Sequence, residues 1–165
     1  MMDHVLWIVD NELDGRSFER LCIDLLHRNG DKDIVPIEPQ DGGRDAEDLP
    51  RQGRGREGCA AFFQFSLDQD WKRKLRRDAR KLASRRSEFS TLVFVTSRAA
   101  RGVDVDSFRT QFRQEYGWSL TVYSREWLRL QLGGSTSRPG KKAPRYWRSF
   151  LAIPTVMAHP LLRID

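Results

Sequence analysis

The chain has 165 residues and a net charge of +6, and it contains no apolar run near the ~20 residues needed to span a bilayer. That length suits one α/β domain with a short appendage, and its periodic apolar clusters exclude a disordered polymer. The opening MMDHVLWIVD lacks the basic flank, long apolar core and cleavage site of a signal peptide, so a cytoplasmic protein with no membrane partner is expected. The two cysteines, Cys22 and Cys59, sit in apolar runs with no CxxC or nearby Cys/His set, which points to buried thiols and away from zinc. Charge is unevenly spread. Residues 1–50 hold five Lys/Arg against thirteen Asp/Glu, a balance of −8, whereas residues 51–165 hold 24 against ten, a balance of +14. An acidic segment can supply metal ligands and a basic one can neutralise phosphates; both can also be solvated faces.

In chain order, VLWIV at residues 5–9 is too short to assign, either an edge strand or a first helical turn. Phe18, Leu21, Cys22, Leu25 and Leu26 then fall at helical spacing. With Asp14 as cap and Asn29-Gly30 as stop, the spacing predicts an amphipathic helix over roughly 15–28. Glu19 lies at the border of its apolar stripe. Ile34, Val35 and Ile37 suggest a strand, Gly42-Gly43 a tight hairpin, and Asp45 with Glu47 the returning antiparallel strand. The stretch from Pro50 to Gly58 mixes glycines with Arg51, Arg54 and Arg56 and reads as an exposed basic loop. Cys59 to Phe65 is nearly all apolar, as in a strand buried on both faces, which makes Gln64 conspicuous.

A helix from about Asp70 to Arg86 places Trp71, Leu75, Ala79, Leu82 and Ala83 on one face and a dense set of lysines and arginines on the rest. Leu92 to Thr96 is a further buried strand, expected to run parallel to the previous one because a helix links them. A helix over about 105–116, a strand around Leu120 to Tyr123 and a short helix from Glu126 to Leu132 complete residues 1–132. GGSTSRPGKKAPR has linker composition at 133–145. The apolar segment 146–165 either packs back on the domain or begins a further domain of a longer chain.

Asp45 taken singly reads as a turn aspartate, and Gln64 as a buried amide satisfied by backbone. Their order, on successive strands ahead of a Trp-Lys helix, points instead to a site for a hard divalent cation beside a phosphodiester. Mg²⁺ and Mn²⁺ take carboxylate and carbonyl oxygens and often only one or two carboxylates, so Asp45, the Gln64 side-chain oxygen and the Phe65 main-chain carbonyl form a suitable set, joined by Glu19 directly or through water. Lys72, Arg73, Arg76, Arg77 and Arg80, with Arg54 and Arg56 of the loop, would meet phosphates without reading bases.

FERL on a first helix, DGGRD, QFS ending an apolar strand and DWKRKL opening a helix together resemble the PD-(D/E)xK nuclease superfamily, in particular its Mrr-like restriction endonuclease branch. The resemblance spans about residues 14–98. It implies a restriction-endonuclease-like αβββαβ core, a mixed central sheet flanked by helices. It also implies a Mg²⁺- or Mn²⁺-dependent endonuclease that hydrolyses nucleic-acid phosphodiesters, with DNA ahead of RNA as substrate, in a bacterial restriction or antiphage setting. On this likeness Asp45 is the metal-binding aspartate, Gln64 replaces the second acid and Glu19 is the helix-borne acid. Ser66 occupies the position of the family's lysine, and a serine cannot stabilise an anionic transition state as an ammonium does. Lys74 of the following helix is the expected substitute and Lys72 the runner-up, acting on the attacking water or on the phosphorane. The rival expectations are an inactive nucleic-acid-binding module on the same fold, and a charge-driven module that forms homo-oligomers.

Overall fold

The computed structural model of the chain describes residues 4–30, 34–36, 46–48, 61–84 and 90–132. Asp45, Cys59, the 51–56 loop, the linker at 133–145 and the segment 146–165 lie outside the described residues. The elements run α1 (His4–Asn11), α2 (Gly15–Arg28), β1 (Ile34–Pro36), β2 (Ala46–Asp48), β3 (Ala61–Ser66), α3 (Trp71–Ser84), β4 (Thr91–Thr96), α4 (Gly102–Tyr116), β5 (Ser119–Tyr123) and α5 (Arg125–Gln131). VLWIV thus belongs to a helix, with Leu6, Ile8 and Val9 buried. A five-residue apolar run fits either period, so packing decides.

α2 starts where an orphan amide finds a carboxylate: Asp14 Oδ1 accepts from the Ser17 N–H at 2.6 Å. That bond holds the Asp14 carboxyl below the usual carboxylate range. α4 begins three residues earlier than the apolar spacing suggests, at Gly102, and ends in a left-handed residue, Gly117, at φ 74°. There the Gly117 N–H returns to the Arg113 carbonyl and the Trp118 N–H to that of Phe112. A Cβ at Gly117 would meet nothing within 4 Å, so the only penalty for alanine is the backbone conformation. Gly117→Ala should therefore lower unfolding free energy by about 1 kcal/mol, read as a shifted urea midpoint at unchanged slope. An unmoved midpoint would contradict this account.

The five strands form one mixed sheet in the order β1-β2-β3-β4-β5. β1, β2 and β3 pair antiparallel, and β3, β4 and β5 run parallel, as expected for strands joined through helices. β1 tolerates Pro36 because it is one of the two edge strands among the described residues. β3 lies inside the sheet, and alternation along it divides the core in two. Phe63 and Phe65 join α1, α2 and α5 on one face, while Phe62 joins Trp71, Leu75, Phe94, Phe108 and other residues of α3 and α4 on the other. Each face is covered by helices, which is why β3 and β4 are mostly apolar and buried along nearly their whole length. Cys22 is buried in the first of these cores. Among the described residues no helix is long and apolar enough to cross a membrane.

Candidate active site

Gln64 is 2% exposed, a polar side chain in the middle of a buried strand. Alternation puts it on the Phe62 face, beneath the α3 layer, and places Ser66 on that same face two residues on. β2 meets β3 in the register Ala46↔Phe63 and Glu47↔Phe62. Gln64 therefore directly follows the last β3 residue in the described ladder, and Asp45, outside the described residues, directly precedes Ala46 in the chain.

Ser66 has a backbone task. Its Oγ accepts from the Asp68 N–H at 3.1 Å, and its carbonyl accepts from the Ser97 N–H at 3.3 Å. Asp68 Oδ1 then accepts from the Asp70 N–H, and Asp70 Oδ1 from the Arg73 N–H, each at 3.0 Å. These bonds fold the chain from the end of β3 into the first turn of α3, so a serine suits this position structurally in a way that a lysine would not.

Because only residues 67–70 separate the two elements, the first turn of α3 stays close to the carboxyl end of β3. The two candidate lysines there point to different sides. Lys72 Nζ lies 2.9 Å from Asp104 Oδ2 at the start of α4, and Arg76 sits 4.7 Å over the Phe108 ring of α4. The Asp104 carboxyl is held below its ordinary range by its hydrogen bond to Arg101 and, next, by Lys72. Lys72 is thereby committed to the α4 side. On the opposite flank, Lys74 Nζ lies 2.6 Å from Asp78 Oδ2. α4 packs beside β5, so the flank occupied by Lys74 is the one toward β3 and β2.

Glu19 is half-buried on α2, which covers the Phe63 and Phe65 face. It approaches the sheet from the side opposite Lys74, and the two can serve one site only around a strand end. Arg73, Arg76, Arg77 and Arg80 come together with Lys81 along a groove of about 490 Å³ on the outer side of α3. Lys72 does not line it. Arg54 and Arg56 lie outside the described residues.

Two features were not singled out from the sequence. Asp78 is 3% exposed on the core stripe of α3, though its spacing, three after Leu75 and four after Lys74, was available as a signal. Asp10 of α1 pairs with Arg98 Nη1 at 3.3 Å and with Arg125 Nη1, at the carboxyl ends of β4 and β5. No local pattern announces that cluster. Among the described residues no group of three or more His, Cys, Asp or Glu is placed to hold a metal ion. Comparisons with protein-family models, curated proteins and solved structures give no match to this chain.

Proposed function

We propose that residues 1–132 form a metal-dependent nuclease of restriction-endonuclease-like architecture, acting on nucleic-acid phosphodiesters, with Asp45, Gln64 and the Phe65 carbonyl as the donor set. The observation that carries this reading is the β2–β3 register, Ala46↔Phe63 and Glu47↔Phe62, which leaves the buried Gln64 as the next residue of β3, while Asp45 is the residue before Ala46 in the sequence. The donors suit the ion: a carboxylate, an amide oxygen and a peptide carbonyl are hard oxygen ligands, and Gln64 is a polar group in a sealed apolar strand. When bound, a divalent cation would polarise the phosphoryl oxygen and lower the pKa of the attacking water.

The chain's own residues would do the rest. The α3 groove would hold the phosphate backbone through charge alone, and Lys74 would place its ammonium against the anion that develops at phosphorus. Lys72, paired with Asp104 on the other side of α3, would take no part.

The test is incubation of the purified chain with supercoiled plasmid and long single-stranded RNA in Mg²⁺, Mn²⁺ or EDTA, beside Lys74→Ala and Lys72→Ala. Cutting in metal only is expected, roughly 10²- to 10³-fold slower in Lys74→Ala and within a few-fold of wild type in Lys72→Ala. Wild-type protein that cuts neither substrate, or a Lys72→Ala defect as large as that of Lys74→Ala, would overturn this assignment. A second reading, binding without cleavage, draws on the structural employment of Ser66. It predicts a salt-sensitive gel shift with no metal requirement.

A further inference from the structure

α3 holds seven Lys/Arg between Trp71 and Ser84 and a single acid, Asp78. That acid is not on the solvent side with the cations. It lies between Leu75 and Leu82 on the stripe facing the core. Its Oδ2 is sealed from solvent and meets the Lys74 ammonium at 2.6 Å, a charge-assisted contact. Arg77 Nε stands 3.8 Å from Oδ1. The pair is asymmetric, since the Asp78 side chain is 4% exposed and that of Lys74 25%.

Stability alone gives little reason for this arrangement. An exposed acid would neutralise neighbouring cations without desolvation, and an apolar residue in the slot would pack without the cost of burying a carboxylate. What a sealed acid beneath a partly exposed lysine does is fix a flexible ammonium at the boundary between core and solvent. Lys74 would otherwise be pushed outward or along the helix, and its neighbours Arg73 and Arg77 repel it. Asp78 draws it to the flank away from α4, in the helical turn that follows the carboxyl end of β3.

We propose that Asp78 is a positioning residue that holds the Lys74 ammonium on the β2-facing flank of α3, already aimed at a phosphodiester bound at the Gln64 end of β3. The use made of the held lysine rests on the nuclease reading; the hold itself does not. Preorganisation of this kind lowers a barrier because the cation need not be collected and oriented during reaction.

The test combines cleavage rates with ¹H–¹⁵N detection of the lysine side-chain ammonium groups, the Lys74 signal being assigned by its loss in Lys74→Ala. In Asp78→Asn the Lys74 signal should broaden away. Cleavage should fall roughly 10- to 100-fold, as for loss of an outer-shell partner, and the double variant Lys74→Ala/Asp78→Asn should be no slower than Lys74→Ala alone. Asp78→Leu serves as the folding control. It should melt no lower than wild type and still lose the signal and the rate, a combination that a merely structural acid would not give. Wild-type rates in folded Asp78→Asn, a retained Lys74 signal, or multiplied defects in the double variant would overturn the proposal. A wild-type protein that cuts nothing would sink the nuclease reading and the catalytic use of the pair, and the ammonium signal would still decide whether Asp78 holds Lys74.

Discussion

Asp45→Ala is expected to abolish metal-dependent cutting, by about 10³-fold or more, while leaving the nucleic-acid gel shift within a few-fold of wild type. The expected loss is large because Asp45 would be the principal carboxylate in a donor set otherwise made of an amide and a peptide carbonyl, with Glu19 approaching from the other face of the sheet. A neutral set binds a hard dication weakly, and loss of even one electrostatic stabiliser at such a centre costs at the upper end of 10²–10³-fold. Binding should survive because the proposed phosphate contacts would be made by Arg73, Arg76, Arg77, Arg80 and Lys81, which line the groove on the outer side of α3 and would not need the metal. Titration calorimetry with Mn²⁺ gives a second readout, in which the heat of binding seen for wild type should vanish. Asp45→Ala protein that still cuts at the wild-type rate would remove Asp45 from the chemistry.

The second large effect is on stability. Asp10→Ala should lower the unfolding free energy by about 3 kcal/mol, with a fall in melting temperature of roughly 10 °C. Asp10 receives Arg125 Nη1 and lies 3.3 Å from Arg98 Nη1, with its own side chain only 13% exposed. Arg98 is tied in turn to the Leu67 carbonyl through Nη2 at 2.8 Å, and Arg125 to the Ser97 carbonyl through Nη1 at 3.4 Å. Removing the carboxylate leaves two partly buried guanidiniums without the counter-charge they share, which is why breaking such a pair is far more damaging than its net worth suggests. The comparison is Asp24→Ala, which deletes the exposed Asp24–Arg28 pair at the surface of α2 and should change stability by less than about 1 kcal/mol. Equal melting shifts for the two variants would refute the distinction between buried and exposed pairs drawn here.

Local order was legible because it follows from periods that a sequence displays directly. The 3.6-residue spacing of Phe18, Leu21, Cys22, Leu25 and Leu26 identifies α2, and their burial in one core agrees. The mostly apolar runs of β3 and β4 announce strands covered on both faces, and the helix between them implies the parallel pairing that forms. The basic stripe of α3 was equally plain, including the arginines that share its outer groove. Gln64 stood out as a polar residue in an apolar strand, and it is buried there.

Other features depended on which residues the packing brings together. The partners of Lys72 and Lys74 could not be told from the first helical turn alone: Lys72 meets Asp104, an acid on another helix, and Lys74 meets Asp78 one turn further along α3. Asp78 was hidden by its company, because a single acid in a run of cations looks like a surface neutraliser until the helix is laid on the sheet and the residue proves to face inward. Asp10, Arg98 and Arg125 are separated by 115 residues at their extremes and meet only because the parallel strands β4 and β5 end side by side against α1. The elements, the apolar faces and the stock of charges are thus properties of short windows with a fixed repeat. Which of those charges meet depends on packing, because long-range partners are set by the order of strands and the side of the sheet on which each helix lies.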